Sequence, residues 1–218
     1  ETLAFNTITL TTDADIMSKL HFGKDFEFVN DDKVSFTFKS EENGATETSI
    51  MGKGVGAKRI DDRTLEITIP SNLGAGTYTL SLAAGAILGT DNEPFAAKTY
   101  TWEVTPHTFK SISPETVPQG EHLSAITLTA PDDVPMSIQD ASKIVLKNAG
   151  NATVPTTATI TADNKLVITP AAPLGNGSYT LNIAKGAVVG PHLVAFNDYN
   201  KTWNVIVSVS ITHVNGFY

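Results

Sequence analysis

Apolar side chains recur at every second position in short runs along the chain. Tyr179, Leu181 and Ile183 share one face of a run whose other face is Thr180, Asn182 and Ala184. Trp203, Val205 and Val207 alternate in the same way, as do Ile126 with Leu128 and Leu166 with Ile168. Nearer the start, Leu65, Ile67 and Ile69, then Tyr78, Leu80 and Leu82, then Trp102 and Val104 repeat the pattern. A period of two built from β-branched and aromatic residues predicts half-buried antiparallel strands. Phe26-Glu27-Phe28 and Val34-Ser35-Phe36-Thr37-Phe38 add two more. No stretch sustains a period of 3.6 for three turns; the nearest, Ala14 to Leu20, predicts one helical turn. Turn-forming residues break the runs every ~8–12 positions, the spacing of a β-sandwich. Asp62-Arg63 and Asp163-Asn164 hold equivalent places before a strand and predict hairpin turns.

The runs form a repeat. Leu65 to Val104 aligns without a gap on Leu166 to Val205 at a constant offset of 101, with 17 identities in 40 positions. Composition alone gives roughly two or three. Ile8-Thr9-Leu10-Thr11 recurs as Ile126-Thr127-Leu128-Thr129 at an offset of 118, so the first copy carries 17 extra residues between Leu10 and Leu65. Loops absorb such insertions at little cost. Two homologous domains are expected, 1–105 and 106–207, joined near Thr105-Pro106-His107-Thr108. Residues 208–218 are then a tail that pairs with a sheet edge or opens a further module.

One segment recurs with its own physical logic. Leu-Gly-x-Gly-x-Tyr-x-Leu stands at Leu73 to Leu80 and again at Leu174 to Leu181. It fits a tyrosine corner, in which the ring fills the edge of the core and the hydroxyl bonds a backbone group upstream. Gly76 and Gly177 let the chain bend into the strand. Tyr78, Tyr179, Trp102 and Trp203 all carry core phase, so these six residues are read as structural. On this reading Tyr179→Phe lowers the melting point of the second domain.

These motifs resemble tandem bacterial immunoglobulin-like domains of the kind found in surface-layer and other cell-surface proteins. The shared features are an opening segment such as Ile112-Ser113-Pro114 with Gly120, a strand such as Ala125 to Ala130, the Tyr segment, a Gly186-Ala187 bend and a closing strand with Trp203. The second copy matches throughout. The first lacks the opening strand, because Glu1 to Asn6 is too short for it, and it offers Asp91-Asn92-Glu93 where the group has Asp-Gly-Asn. The resemblance implies an all-β fold of two tandem Greek-key sandwiches. It implies spacers, adhesive units or accessory modules, with no activity attached.

Composition narrows the chemistry. The chain has 218 residues, 41% of them hydrophobic and 17% charged, a net charge of −8 and no cysteine. Disulfides, thiol catalysis and cysteine-ligated metals are excluded. Nucleic acid is disfavoured, because phosphate binding needs clustered Lys and Arg. No apolar run approaches the ~18–20 residues of a membrane helix. His21, His107, His122, His192 and His213 form neither His-x-His nor His-Glu-x-x-His, and no Gly-x-Ser-x-Gly elbow occurs. His107 and His122 are expected in solvent. Asp31-Asp32, Asp61-Asp62, Asp132-Asp133 and Asp13-Ala14-Asp15 read as turn residues, with an interdomain calcium ion as the alternative, which no Asp-x-Asp-x-Asp-Gly loop supports. No cofactor is expected.

Two features are left for recognition. Met51 to Arg59, rich in glycine and basic residues, is a loop or softened edge strand, or else a basic loop that meets an anionic partner or glycan across Gly52 to Gly56. His192, Tyr199, Phe217 and Tyr218 lack counterparts in the other copy and are free to bind, whereas Phe95 and Phe196 are expected to pack. Asn151, Asn176 and Asn200 open N-glycosylation triplets that carry no meaning in a bacterial source. The expected function is a non-catalytic module pair for display, adhesion or partner binding. It would be extracellular or at the cell surface, exported, with lipid anchoring through a segment outside this chain. Its partner would be a protein or a glycan. The alternative is a carbohydrate-binding accessory region of a larger surface enzyme or glycan-uptake lipoprotein.

Overall fold

The computed structural model describes residues 7–16, 31–41, 47–50, 56–69 and 73–207. The chain divides into two compact units, Glu1–Thr105 with His192–Val194, and Pro106–Pro191 with Ala195–Tyr218. The expected strand at 26–28, the second half of the Ala14 to Leu20 turn, most of the glycine-rich loop and the tail from 208 lie outside the described residues.

Strands form where the period-two runs predict them. The first unit contains β1 (Thr7–Thr11), β2 (Val34–Ser40), β3 (Glu47–Ser49), β4 (Gly56–Asp61), β5 (Thr64–Thr68), β6 (Gly76–Leu82) and β7 (Lys98–Val104). They make two sheets, β1-β5-β4 and β3-β2-β6-β7. The second unit contains β8 (Ser111–Ser113), β9 (Ile126–Thr129), β10 (Ser137–Ile138), β11 (Ile144–Asn148), β12 (Thr153–Val154), β13 (Thr156–Ile160), β14 (Lys165–Pro170), β15 (Gly177–Ile183), β16 (Val188–Val189) and β17 (Tyr199–Val205). Its main sheets are β13-β14-β9-β8 and β12-β11-β15-β17, with β10 and β16 as a short extra pair. All strand pairs are antiparallel. Strands from distant parts of the sequence lie side by side in each sheet, which is Greek-key order.

Alternation fixes which face is buried. In β6 every second residue is buried, with Tyr78, Leu80 and Leu82 inside. These meet Phe36 and Phe38 of β2 and, from the opposing sheet, Ile8, Leu65 and Ile67 in one core cluster. The second core joins Leu146, Leu181, Ile183 and Trp203 to Ile126, Leu128, Leu166 and Ile168 in the same way. Each core therefore takes side chains from two sheets, and the fold is an all-β, immunoglobulin-like sandwich plan used in both units.

Strand register carries the repeat into three dimensions. Tyr78 lies opposite Trp102 and Tyr179 opposite Trp203. Ile8 pairs with Ile67, and Ile126 with Ile168. The insertion splits in two. Phe36 faces Leu80 and Leu146 faces Leu181, an offset of 110 between β2 and β11. The offset thus falls from 118 to 110 to 101, leaving eight extra residues before β2 and nine between β2 and β4. Sequence comparison finds the sum but not the split, because β2 and β11 share an alternating pattern and few identities.

Two local expectations change. Asp13 and Ala14 form a bend and Ile16 bridges Gly89, so the described start of the Ala14 to Leu20 segment is not helical. Ile16 is held by its amide to the Asp62 carbonyl at 2.7 Å, a bond to a distant segment in place of a helical one. The Tyr segment also differs between copies. Tyr78 donates its hydroxyl to the Gly74 carbonyl at 2.7 Å, and burial pushes its pKa up to about 12. The Tyr179 hydroxyl makes no hydrogen bond among the described residues. There the turn is held by paired Leu123–Leu174 backbone bonds and by Asn176 Oδ1, which accepts the Val207 amide at 2.5 Å. Tyr78→Phe should therefore cost about 1–3 kcal/mol. Tyr179→Phe, the change expected above to lower a melting point, should be near neutral. Denaturant unfolding of both variants reads the difference, and equal losses would contradict it.

Candidate functional site

The outward phase of a sheet is where a sandwich of this kind meets solvent. In the second unit, register aligns the outward residues of β11, β15 and β17 in rows. Val145, Asn182 and Asn200 make one row, and Lys147, Thr180 and Thr202 the next. Asn200 donates Nδ2 to Asn182 Oδ1, and the Thr180 and Thr202 hydroxyls share a hydrogen bond of 2.8 Å. A shallow hollow of about 960 Å³ lies over these rows, with Lys143 and Tyr199 also on its wall. Each amide still has unused donor and acceptor capacity after the Asn182–Asn200 bond. The face offers a grid of neutral donors and acceptors with lysines beside it. That chemistry suits a polyhydroxylated ligand.

The matching face of the first unit differs in kind. Its rows are Ser35, Ser81 and Thr99, then Thr37, Thr79 and Thr101. Thr99 donates to Ser81 at 3.3 Å. Short hydroxyls replace the amides, and the hollow at the Lys39, Thr77 and Glu103 row is smaller, about 310 Å³.

The structure distributes the sequence candidates unevenly. Tyr78 is 5% exposed and Trp203 is 2% exposed. Trp102 and Tyr179 are half-buried and pack against their cores from outer positions. The Trp203 indole donates Nε1–H to the Pro114 carbonyl at 2.8 Å. Gly76 and Gly177 open β6 and β15 with φ of 154° and 152°. Tyr199 meets Phe109 edge-on at 5.7 Å, and burial raises its pKa, with Glu115 adding to the rise. Phe196 is fully buried and Phe95 half-buried. His192 sits in a short 3-10 turn with φ of 58°. Phe217, Tyr218 and residues 51–55 of the glycine-rich loop lie outside the described residues; Gly56 begins β4.

Several of the acidic candidates serve local order. Asp15 accepts from Arg63 at 2.8 Å, Asp132 pairs with Lys110 at 2.6 Å and Asp61 accepts the Arg63 amide at 2.8 Å. Asp163 bonds Lys165 and Thr161, which hold its carboxyl down to about 2. Among the described residues, no three His, Asp or Glu side chains gather as a metal site.

Three residues escape the sequence reading. His122 is exposed as expected, but His107 is 7% exposed, buried against Phe196 at 5.1 Å. The expectation of a solvated linker histidine fails because the chain from Pro106 is already part of the second unit. The Asn182–Asn200 pair also goes unseen, since only strand register brings two polar positions 18 residues apart into contact.

No family model matches the chain, and no curated protein matches it. Among solved structures, the chain is similar to the extracellular portion of mouse CD200RLa, with 7% identity over 92% of this chain and 94% of that one, TM-score 0.24. It is similar to the amphioxus IgVJ-C2 molecule at 13% identity, covering 92% and 96%, TM-score 0.23. Tp47, the 47-kilodalton lipoprotein of Treponema pallidum, aligns at 10% identity and TM-score 0.24; 79% of this chain spans 40% of its length. The strand order and the two cores, not these likenesses, carry the fold.

Proposed function

We propose that this chain is a non-catalytic, exported pair of bacterial-type immunoglobulin-like modules, used for display, adhesion or partner binding at the cell surface. One observation supports this reading most. The residues that the two copies share take equivalent register positions against the cores, Tyr78 opposite Trp102 and Tyr179 opposite Trp203, one ring of each pair buried and the other half-buried. What the duplication retained is packing, and what it varied is surface. That is the division of labour of a scaffold that carries recognition on its faces. Among the described residues no helix is long and apolar enough to cross a membrane.

The amide-bearing face of β11, β15 and β17 favours a second reading, a carbohydrate-binding accessory region of a larger surface enzyme or glycan-uptake lipoprotein. A glycan array probed with the full chain separates the two. The glycan reading expects saturable binding that Asn182→Ala with Asn200→Ala weakens about fivefold to a hundredfold, since two neutral hydrogen bonds contribute ~1–3 kcal/mol together. An array without saturable binding leaves the display reading standing alone. Binding that ignores both substitutions removes this face from consideration.

A further inference from the structure

His107 is pinned at both backbone groups. Its N–H donates to the Ala195 carbonyl at 2.9 Å, and its carbonyl accepts the Asn197 N–H at 2.9 Å. The two bonds make a parallel bridge to Phe196. The ring lies within the second unit among Phe196, Gly190 and Val134. A Cβ on Gly190 would stand 2.7 Å from the ring's Nε2 and 2.8 Å from its Cδ2, so the missing side chain of Gly190 makes the slot. Nε2 is buried and has no hydrogen-bond partner.

This slot favours the neutral ring. A neutral imidazole leaves Nε2 as a single unpaired group, a modest cost. An imidazolium brings a full charge and a second donor into apolar surroundings. The ionisable groups on the surrounding elements point to other duties. Lys110, on the same segment, pairs with Asp132. Asp133, beside Val134, is exposed. Asp198, past Asn197, accepts the Lys185 amide at 2.8 Å. His192 follows Gly190 by two positions and is half-buried. Desolvation alone holds the His107 pKa below the ordinary value of 6.5.

We infer that His107 is an acid-operated latch, and that protonating its ring opens its backbone bridge to Ala195 and Asn197. The inference stands apart from the function proposed above. Its sign follows from linkage. The unfolded or released ring keeps the ordinary affinity for a proton, whereas the docked ring binds one more weakly. The latch is fully closed above about 6.5, weakens as pH falls through that value and stops weakening below the docked pKa.

Hydrogen exchange on the full chain tests this at ~pH 7.5 and ~pH 5, corrected for intrinsic rates. The inference expects the His107 and Asn197 amides to lose protection by up to about tenfold for each pH unit between the two pKa values. Amides of β14 in the same unit should hold theirs. His107→Leu should abolish the loss. A proton titration of the wild-type His107 ring by NMR serves even where that variant fails to fold. A ring that titrates below 6.5 in step with amide opening supports the latch. A ring that titrates at or above 6.5, or protection of both amides that is indifferent to pH, overturns it.

Discussion

Gly76→Ala destabilises the first unit by about 3 kcal/mol or more, far beyond what its counterpart Gly177→Ala does to the second. Both glycines open the strand that carries the repeated tyrosine, and both hold φ near 150°. Backbone strain is thus common to the two, on the order of 1–3 kcal/mol for a residue with a side chain. Space is what separates them. A Cβ on Gly76 would stand 2.2 Å from the Lys39 carbonyl oxygen and 2.7 Å from the Phe38 ring. Lys39 is backbone of the central strand β2, registered on Thr77 and Glu47, so it has little freedom to retreat. A Cβ on Gly177 would meet nothing nearer than the Tyr179 hydroxyl at 3.4 Å. Denaturant unfolding of the full chain with each substitution measures the difference. Losses of equal size would mean that β2 yields, and that the first copy's turn is softer than its contacts imply.

The same pair shows how far sequence reading reaches. Alternation and the 101-residue offset give the strands and the positions of Tyr78, Tyr179, Trp102 and Trp203, because both signals are local or self-referential. Identity at Gly76 and Gly177 hides unlike surroundings, because the neighbour that crowds Gly76 comes from β2, in the stretch where the copies diverge. The Tyr78 hydroxyl bond and its absence at Tyr179 among the described residues go with unlike surroundings: the motif is shared, while in the second copy the turn is held by Leu123 and Asn176. His107 was unreadable for a related reason. Polarity and a place beside Pro106 suggest solvent, but burial was decided by Gly190 and Phe196 more than 80 positions later. The amide pair on the outer face is legible only as polar phase; which polar residues touch is a matter of register.

Trp203→Ala should cost the second unit about 3–5 kcal/mol, the range for deleting a fully buried aromatic ring. Trp203 is 2% exposed and sits among the residues of the second core. It does a further task through its indole N–H, which reaches the Pro114 carbonyl 89 residues away at 2.8 Å. That bond ties β17 to the segment following β8, so the ring closes the sandwich as well as filling it. Trp203→Phe isolates this second contribution. It keeps most of the apolar volume but leaves the Pro114 carbonyl unanswered, at about 1–3 kcal/mol. Trp102 sits at the register-equivalent place opposite Tyr78, half-buried and stacked on Tyr100 at 5.9 Å. Trp102→Ala should accordingly cost less than Trp203→Ala, because less of its surface leaves water on folding. Chemical denaturation of the three variants supplies the ranking. If Trp102→Ala matched Trp203→Ala, the burial difference between the two closing strands would not govern stability. If Trp203→Phe were neutral, the Pro114 bond would contribute nothing to holding the second sandwich shut.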